Sequence, residues 1–205
     1  MARTGRRPGN QDTREAILAA AKQAFAERGY DKASIRQIAT GAGVDPALVH
    51  HYFGTKDQLF VATMEIPVNP ADVVPKIVAA GPEGVGERLV RTFLTVWDSP
   101  AGISAAALLR SALSHEWSAR MLREFLTSQI LGKIIQTLDL DPKQAQLRTT
   151  LAASQIVGLA MTRYLLKVEP LASAPRETLV AAIGPTIQRY LTGPLDGCET
   201  TIARS

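Results

Sequence analysis

The chain has 205 residues, room for one large domain or two small ones, and a hydrophobic share of 46% against 20% charged excludes wholesale disorder. No run reaches the about 18 apolar residues of a membrane span, because the best stretch, from Leu151, is broken by Gln155, Arg163 and Lys167, and the single Cys198 excludes an internal disulfide and a thiolate metal cluster. The net charge of +4 is carried at the front, where residues 1–60 hold nine Lys or Arg against six Asp or Glu, leaving 14 against 13 for the rest.

Residues 1–11 read as a flexible basic tail without the apolar run of a signal peptide, so a cytoplasmic location is expected. Over 12–28, Ile17, Leu18, Ala21, Ala24 and Phe25 recur at helical spacing, with Asp12 and Glu15 as a capping pair and Gly29 as the stop. Three further helix starts follow in quick succession. Ser34-Ile35-Arg36-Gln37 is a capping box, Asp45-Pro46 sets a cap before a proline at the first helical position, and Thr55-Lys56-Asp57-Gln58 is a second capping box. Between the first two, Gly43 can take the left-handed conformation that turns one helix sharply into the next, so the pattern predicts a helix-turn-helix. Beyond Phe60, apolar periodicity predicts helices over 69–80, 83–97, 101–113, 117–138, 142–168 and 175–191, punctuated by prolines at 67, 70, 82, 100, 142, 170 and 175.

Residues 34–60 resemble the DNA-binding region of the tetracycline-repressor (TetR) family. The likeness is carried by the Ser34 capping box, the Gly43 turn, the Asp45-Pro46 start, the His50-His51-Tyr52-Phe53 ending and Lys56. It implies an all-α protein with an N-terminal three-helix DNA-binding domain over 12–60. A larger C-terminal helical domain for effector binding and dimerisation would span 61–192, with a flexible tail over 193–205. It assigns base contacts to Arg36, Pro46, Ala47, Leu48 and His50, and phosphate contacts to Ser34, His51, Tyr52 and Lys56.

Two departures stand out. His50 replaces a tyrosine usual in the family, and Pro46 with Ala47 offers only methylene and methyl groups where a longer polar side chain would read a base. Read as chemistry, that apolar pair suits thymine methyls and Arg36 suits a bidentate guanine contact. Ser34, Arg36 and Lys56 are placed to meet phosphates. Arg3, Arg6 and Arg7 suit either a minor-groove arm or non-specific attraction to the backbone.

In the second region Phe93, Trp97, Trp117, Met121, Phe125, Met161 and Tyr164 are interspersed with Arg110, His115, Glu116 and Gln155. Pattern alone reads these aromatic and sulfur-bearing residues as core, and His115 as satisfying a buried hydrogen bond. The resemblance instead implies a cavity, lined by Phe93, Trp97, Arg110, His115, Trp117, Met121, Phe125, Gln155 and Met161. Such a cavity suits a mostly apolar or aromatic effector with one or two polar handles. Small residues Ala152, Ala153, Ser154, Gly158 and Ala160, followed by Leu179, Ala182, Ile183, Thr186, Ile187 and Tyr190, suit either intramolecular packing or a four-helix interface between two copies.

Other chemistry finds little footing. His50 and His51 are helix neighbours pointing about 100° apart, which is no metal pair. The glycines of 81–86 follow no strand and read as a linker, and no hydrolase motif occurs. The expectation is therefore a homodimeric transcription regulator rather than an enzyme, without cofactor, metal or membrane, that binds a double-stranded DNA operator. It represses rather than activates, and a small-molecule effector releases it through the segment 55–67. A ligand-independent DNA-binding regulator and an enzyme with an accessory DNA-binding domain are the rivals at this stage.

Overall fold

A computed structural model describes residues 9–64, 68–138 and 142–195, and every regular element among them is helical. Arg3, Arg6, Arg7, Pro67 and Cys198 lie outside the described residues. The first helix, α1 (Gly9–Lys32), starts earlier than expected, so Asp12 is an acid within its first turn rather than its N-cap. Gly29 breaks it, at φ 76° and ψ 170°.

The next three helices begin where their caps place them: α2 (Ile35–Ala42), α3 (Pro46–Phe53) and α4 (Lys56–Thr63). Ser34 and Gln37 exchange the two bonds of a capping box, as do Thr55 and Gln58. Asp45 accepts from the Ala47 N–H at 2.8 Å. Gly43 turns α2 into α3 at φ 67° and ψ 31°, a conformation that carries a penalty for any residue with a Cβ. Ile17, Ala21 and Phe25 of α1, Ile38 and Ala39 of α2, Val49 and Phe53 of α3 and Leu59 and Phe60 of α4 are buried in one core. The Phe60 ring meets Phe25 and Tyr30 edge-on, at 5.2 and 5.1 Å.

The longer part of the chain folds as α5 (Pro70–Val78), α6 (Val85–Trp97), α7 (Ala101–Ser114), α8 (Glu116–Glu124), α9 (Lys133–Thr137), α10 (Pro142–Ala160) and α11 (Arg176–Thr192). Two stretches read as unbroken α-helix from their periodicity prove to be mixed. A π-helical segment, Phe125–Gly132, joins α8 to α9, and another, Met161–Leu165, extends α10. Such wide turns change which side chains share a face, and they gather at functional positions.

The longest contact in this part is α6 along α11. It is close because Gly86 and Gly184 meet there: a Cβ on Gly86 would strike the Gly184 carbonyl and the Gln188 backbone. The Gln188 side chain ties the pair further, accepting from the Gly86 N–H at 2.9 Å and donating to the Pro82 carbonyl. No helix among the described residues is long and apolar enough to cross a membrane.

Candidate nucleic-acid interface and cavity

The short helix α3 turns Val49 and Phe53 inward and leaves Ala47, Leu48, His50 and His51 exposed. Leu48 is 39% exposed, unusual for a large aliphatic side chain that has a core beside it. Pro46 is half-buried at the first helical position. On α2 the Arg36 guanidinium is exposed and has no hydrogen bond or ion pair to another described residue. Ser34 is exposed, its oxygen already accepting from the Gln37 N–H.

The remaining three expected contacts are more constrained. His51 sets its ring against Tyr52 at 5.3 Å, and Tyr52 is half-buried against the core. Lys56 lays its ammonium 4.4 Å from the Tyr30 ring centre and 3.3 Å from the Asp31 carbonyl oxygen. It is therefore engaged with the end of α1. A cation not singled out in the sequence lies nearby: Arg14 of α1 stacks over the Phe53 ring at 5.1 Å. Periodicity marked α1 only by its buried face, so nothing in the sequence signalled Arg14.

Directly after α3, the Asp57 carboxylate joins the small helices to the larger bundle. One oxygen accepts the Tyr30 hydroxyl, and the other lies 2.6 Å from Lys133 Nζ. Arg120 of α8 donates to the Ala26 carbonyl at 2.8 Å across the same boundary. Glu124 at the end of α8 is held above its ordinary carboxylate range, chiefly by burial and then by the charge of Asp31.

Inside the larger bundle lies a cavity of about 120 Å³. Val73 and Ile77 of α5, Leu89 to Trp97 along one face of α6, and Ala105, Leu108 and Leu109 of α7 form part of its wall. Leu122 of α8, Phe125, Leu126, Ile130 and Leu131 of the π-helical segment, and Ile156, Val157 and Ala160 of α10 complete most of it. The polar atoms of its lining side chains are the Thr92 hydroxyl and the Trp97 indole nitrogen.

Of the residues expected around a cavity, Phe93, Trp97 and Phe125 line it, whereas Arg110, His115, Trp117, Met121, Gln155 and Met161 do not. On α8 and its π continuation the lining positions are Leu122, Phe125 and Leu126, so the wall is met at Phe125, one turn beyond Met121, and not at Trp117 or Met121 themselves. Arg110 and His115 are exposed. His115 forms the junction of α7 and α8, with Nδ1 3.3 Å from the Ser111 carbonyl, so the expected buried hydrogen bond is instead a surface one.

At one side of the cavity Phe93 and Trp97 pack on Tyr164, with the Trp97 and Tyr164 rings 5.0 Å apart. The Tyr164 hydroxyl donates to Asp98 at 2.8 Å, and Arg176 of α11 holds the other Asp98 oxygen at 3.0 Å. Burial, helped by the Asp98 hydrogen bond, pushes the Tyr164 phenol up to about 12.

Comparison with known proteins bears on both halves of the chain. The family described as bacterial regulatory proteins, tetR family, matches residues 17–63, and the tetracyclin repressor-like C-terminal domain matches residues 83–191. The HTH-type transcriptional regulator BetI of Brucella anthropi is 49% identical over 51 residues, 25% of this chain and 26% of that protein. BetI of Rhizobium meliloti is 45% identical over a span of the same length. The chain thus matches about a quarter of the length of these curated relatives, 26% and 25%. A solved TetR-family regulator of Streptomyces coelicolor A3 is 41% identical, with 92% of this chain and 99% of that one covered and a TM-score of 0.43.

Proposed function

The chain belongs to the tetR family of bacterial regulatory proteins, and on that premise we propose that it is a homodimeric repressor whose operator binding is relieved by a small, uncharged and mostly apolar effector. The DNA-binding domain would comprise residues 12–60 and the effector and dimerisation domain residues 61–192. In this reading α3 enters the major groove of each half-site. Arg36, Pro46, Ala47, Leu48 and His50 face base edges, while Ser34, His51, Tyr52 and Lys56 meet the backbone. One short helix buries little surface, so two copies joined through α10 and α11 would read two half-sites about one helical turn of DNA apart.

The observation that carries the effector reading is the path from the cavity to α4. Leu131 lines the cavity, and Lys133, two residues further along the same continuous helix, lies 2.6 Å from Asp57 in the first turn of α4. A ligand that fills the cavity moves this helix by displacing its apolar lining, and the ion pair passes the shift to the helix that follows α3. If the effector prefers one separation of the two α3 helices and DNA another, each weakens the other's binding by the same factor.

The chemistry of the wall sets the ligand class. Among the described residues no charged side chain lines the cavity, so an ion would enter without a partner there, at a prohibitive desolvation penalty. The Thr92 hydroxyl and the Trp97 indole N–H leave room for one or two polar handles. The test is to titrate uncharged compounds, such as decanol and naphthalene, against the protein bound to a selected operator. Release by a neutral apolar compound, with no release by short-chain carboxylates, is expected. Release by charged compounds alone contradicts the reading.

A further inference from the structure

His50 Nδ1 lies 2.8 Å from the Gly54 carbonyl oxygen. A carbonyl oxygen only accepts, so Nδ1 carries the proton, and in the neutral ring Nε2 is left as a bare acceptor. No other hydrogen bond or ion pair engages this ring among the described residues. The bond also fixes the ring's orientation, so little rotamer freedom remains to be lost on binding.

His50 is exposed, one turn beyond Ala47 on the same side of α3. Among the neighbouring exposed positions Ala47 and Leu48 have no polar side-chain atom, while Asp45 at the N-cap holds the Ala47 N–H with one carboxylate oxygen. His51 packs its ring against Tyr52 and has no hydrogen bond to orient it. Nε2 of His50 is thus a pre-oriented neutral acceptor on the exposed side of this helix. A phosphate presents only acceptor oxygens to it, whereas the major groove presents amino donors at adenine N6 and cytosine N4.

We propose, resting on the DNA-binding reading above, that His50 is a specificity-determining residue whose Nε2, held as an acceptor by the bond from Nδ1 to Gly54, selects adenine or cytosine at one position of each half-site. The elements packed on α3 bring Arg36 from α2, Lys56 and Asp57 from α4 and Arg14 from α1, and α3 itself adds Asp45 at its cap, His51 and Tyr52. None of them bonds to His50.

The test uses the full chain and a duplex selected from random DNA, with affinity measured for every single-base-pair variant of one half-site. One position should favour adenine or cytosine about tenfold, and His50→Phe should abolish that preference there and nowhere else. Nitrogen-15 NMR of the free protein should find the neutral His50 ring protonated on Nδ1. An Nε2–H tautomer overturns the proposal, as does a loss of affinity in His50→Phe that is equal for every sequence, which marks a backbone contact. Failure to select any sequence contradicts the regulator reading itself, whereas a selected operator indifferent to His50 overturns only this proposal.

Discussion

Lys133 and Asp57 are joined by a 2.6 Å ion pair that runs from the first residue of α9, just past the cavity-lining π-helical segment, to the first turn of α4. Both side chains are about one-third exposed, at 34% and 39%, so the pair is neither a solvated surface contact nor a buried one. Asp57 also accepts the Tyr30 hydroxyl and so holds the end of α1 to the same point.

Lys133→Met should lower stability by only about 1 kcal/mol, the scale of a partly exposed pair. It should also reduce several-fold the factor by which an effector weakens operator binding, and Asp57→Asn in the same background should add little further. Fluorescence anisotropy of labelled operator, with and without effector, reads this directly. An unchanged coupling factor places the transmission elsewhere.

Thr92→Val removes the one hydroxyl that the described residues bring to the cavity wall, at almost constant shape. Ligands with a hydrogen-bonding handle should lose about 0.5–1.5 kcal/mol of affinity, while plain hydrocarbons lose none. Calorimetric titration of an alcohol and its parent alkane would separate the two outcomes. Equal effects on both ligands would mean that Thr92 contributes only volume.

Arg36→Ala should relax the preference for one base pair by about 1–3 kcal/mol of discrimination and leave the other positions intact. The guanidinium is exposed and unpaired among the described residues, so the loss should appear in DNA binding rather than in stability. A uniform loss on all sequences, with a shallower salt dependence, would instead make Arg36 a phosphate contact.

Glu124 gives a pH-dependent signature. Burial, and secondarily Asp31, holds its carboxyl above the ordinary 4.5. A group that binds its proton more tightly when folded contributes stability below the unfolded value and loses it as pH rises through the folded one. Glu124→Gln should therefore be more stable than the parent at pH 7, by under about 1 kcal/mol after solvent screening, and the difference should vanish below about pH 4. Urea unfolding at the two pH values measures it.

The parts legible in the sequence are those whose causes are local. A capping box, a proline at the first helical position or a glycine at φ 67° is specified within four or five residues, so α2, α3 and α4 begin where Ser34, Asp45 and Thr55 place them. The cavity wall was legible only in part, at Phe93, Trp97 and Phe125, because Val73, Ile77 and Leu89 have the same spacing whether they face a packed neighbour or empty space. Trp117, Met121 and Leu122 share α8, and which of them meets the cavity is set by how that helix is rotated against its neighbours, so Leu122 lines the wall and Trp117 and Met121 do not. Lys133 and Asp57 lie 76 positions apart, and only the packing of α1 and α8 brings them together.

The central claim is that two copies of this chain read DNA through α3. Selection of sites from random duplex DNA by the purified protein, followed by affinity at about 50 and 200 mM salt and the stoichiometry of the complex, tests it most directly. The account predicts an inverted repeat with half-sites about one helical turn apart, bound by a dimer at least about 10³-fold more tightly than unrelated duplex. Binding that falls steeply with salt and shows no sequence preference would contradict it.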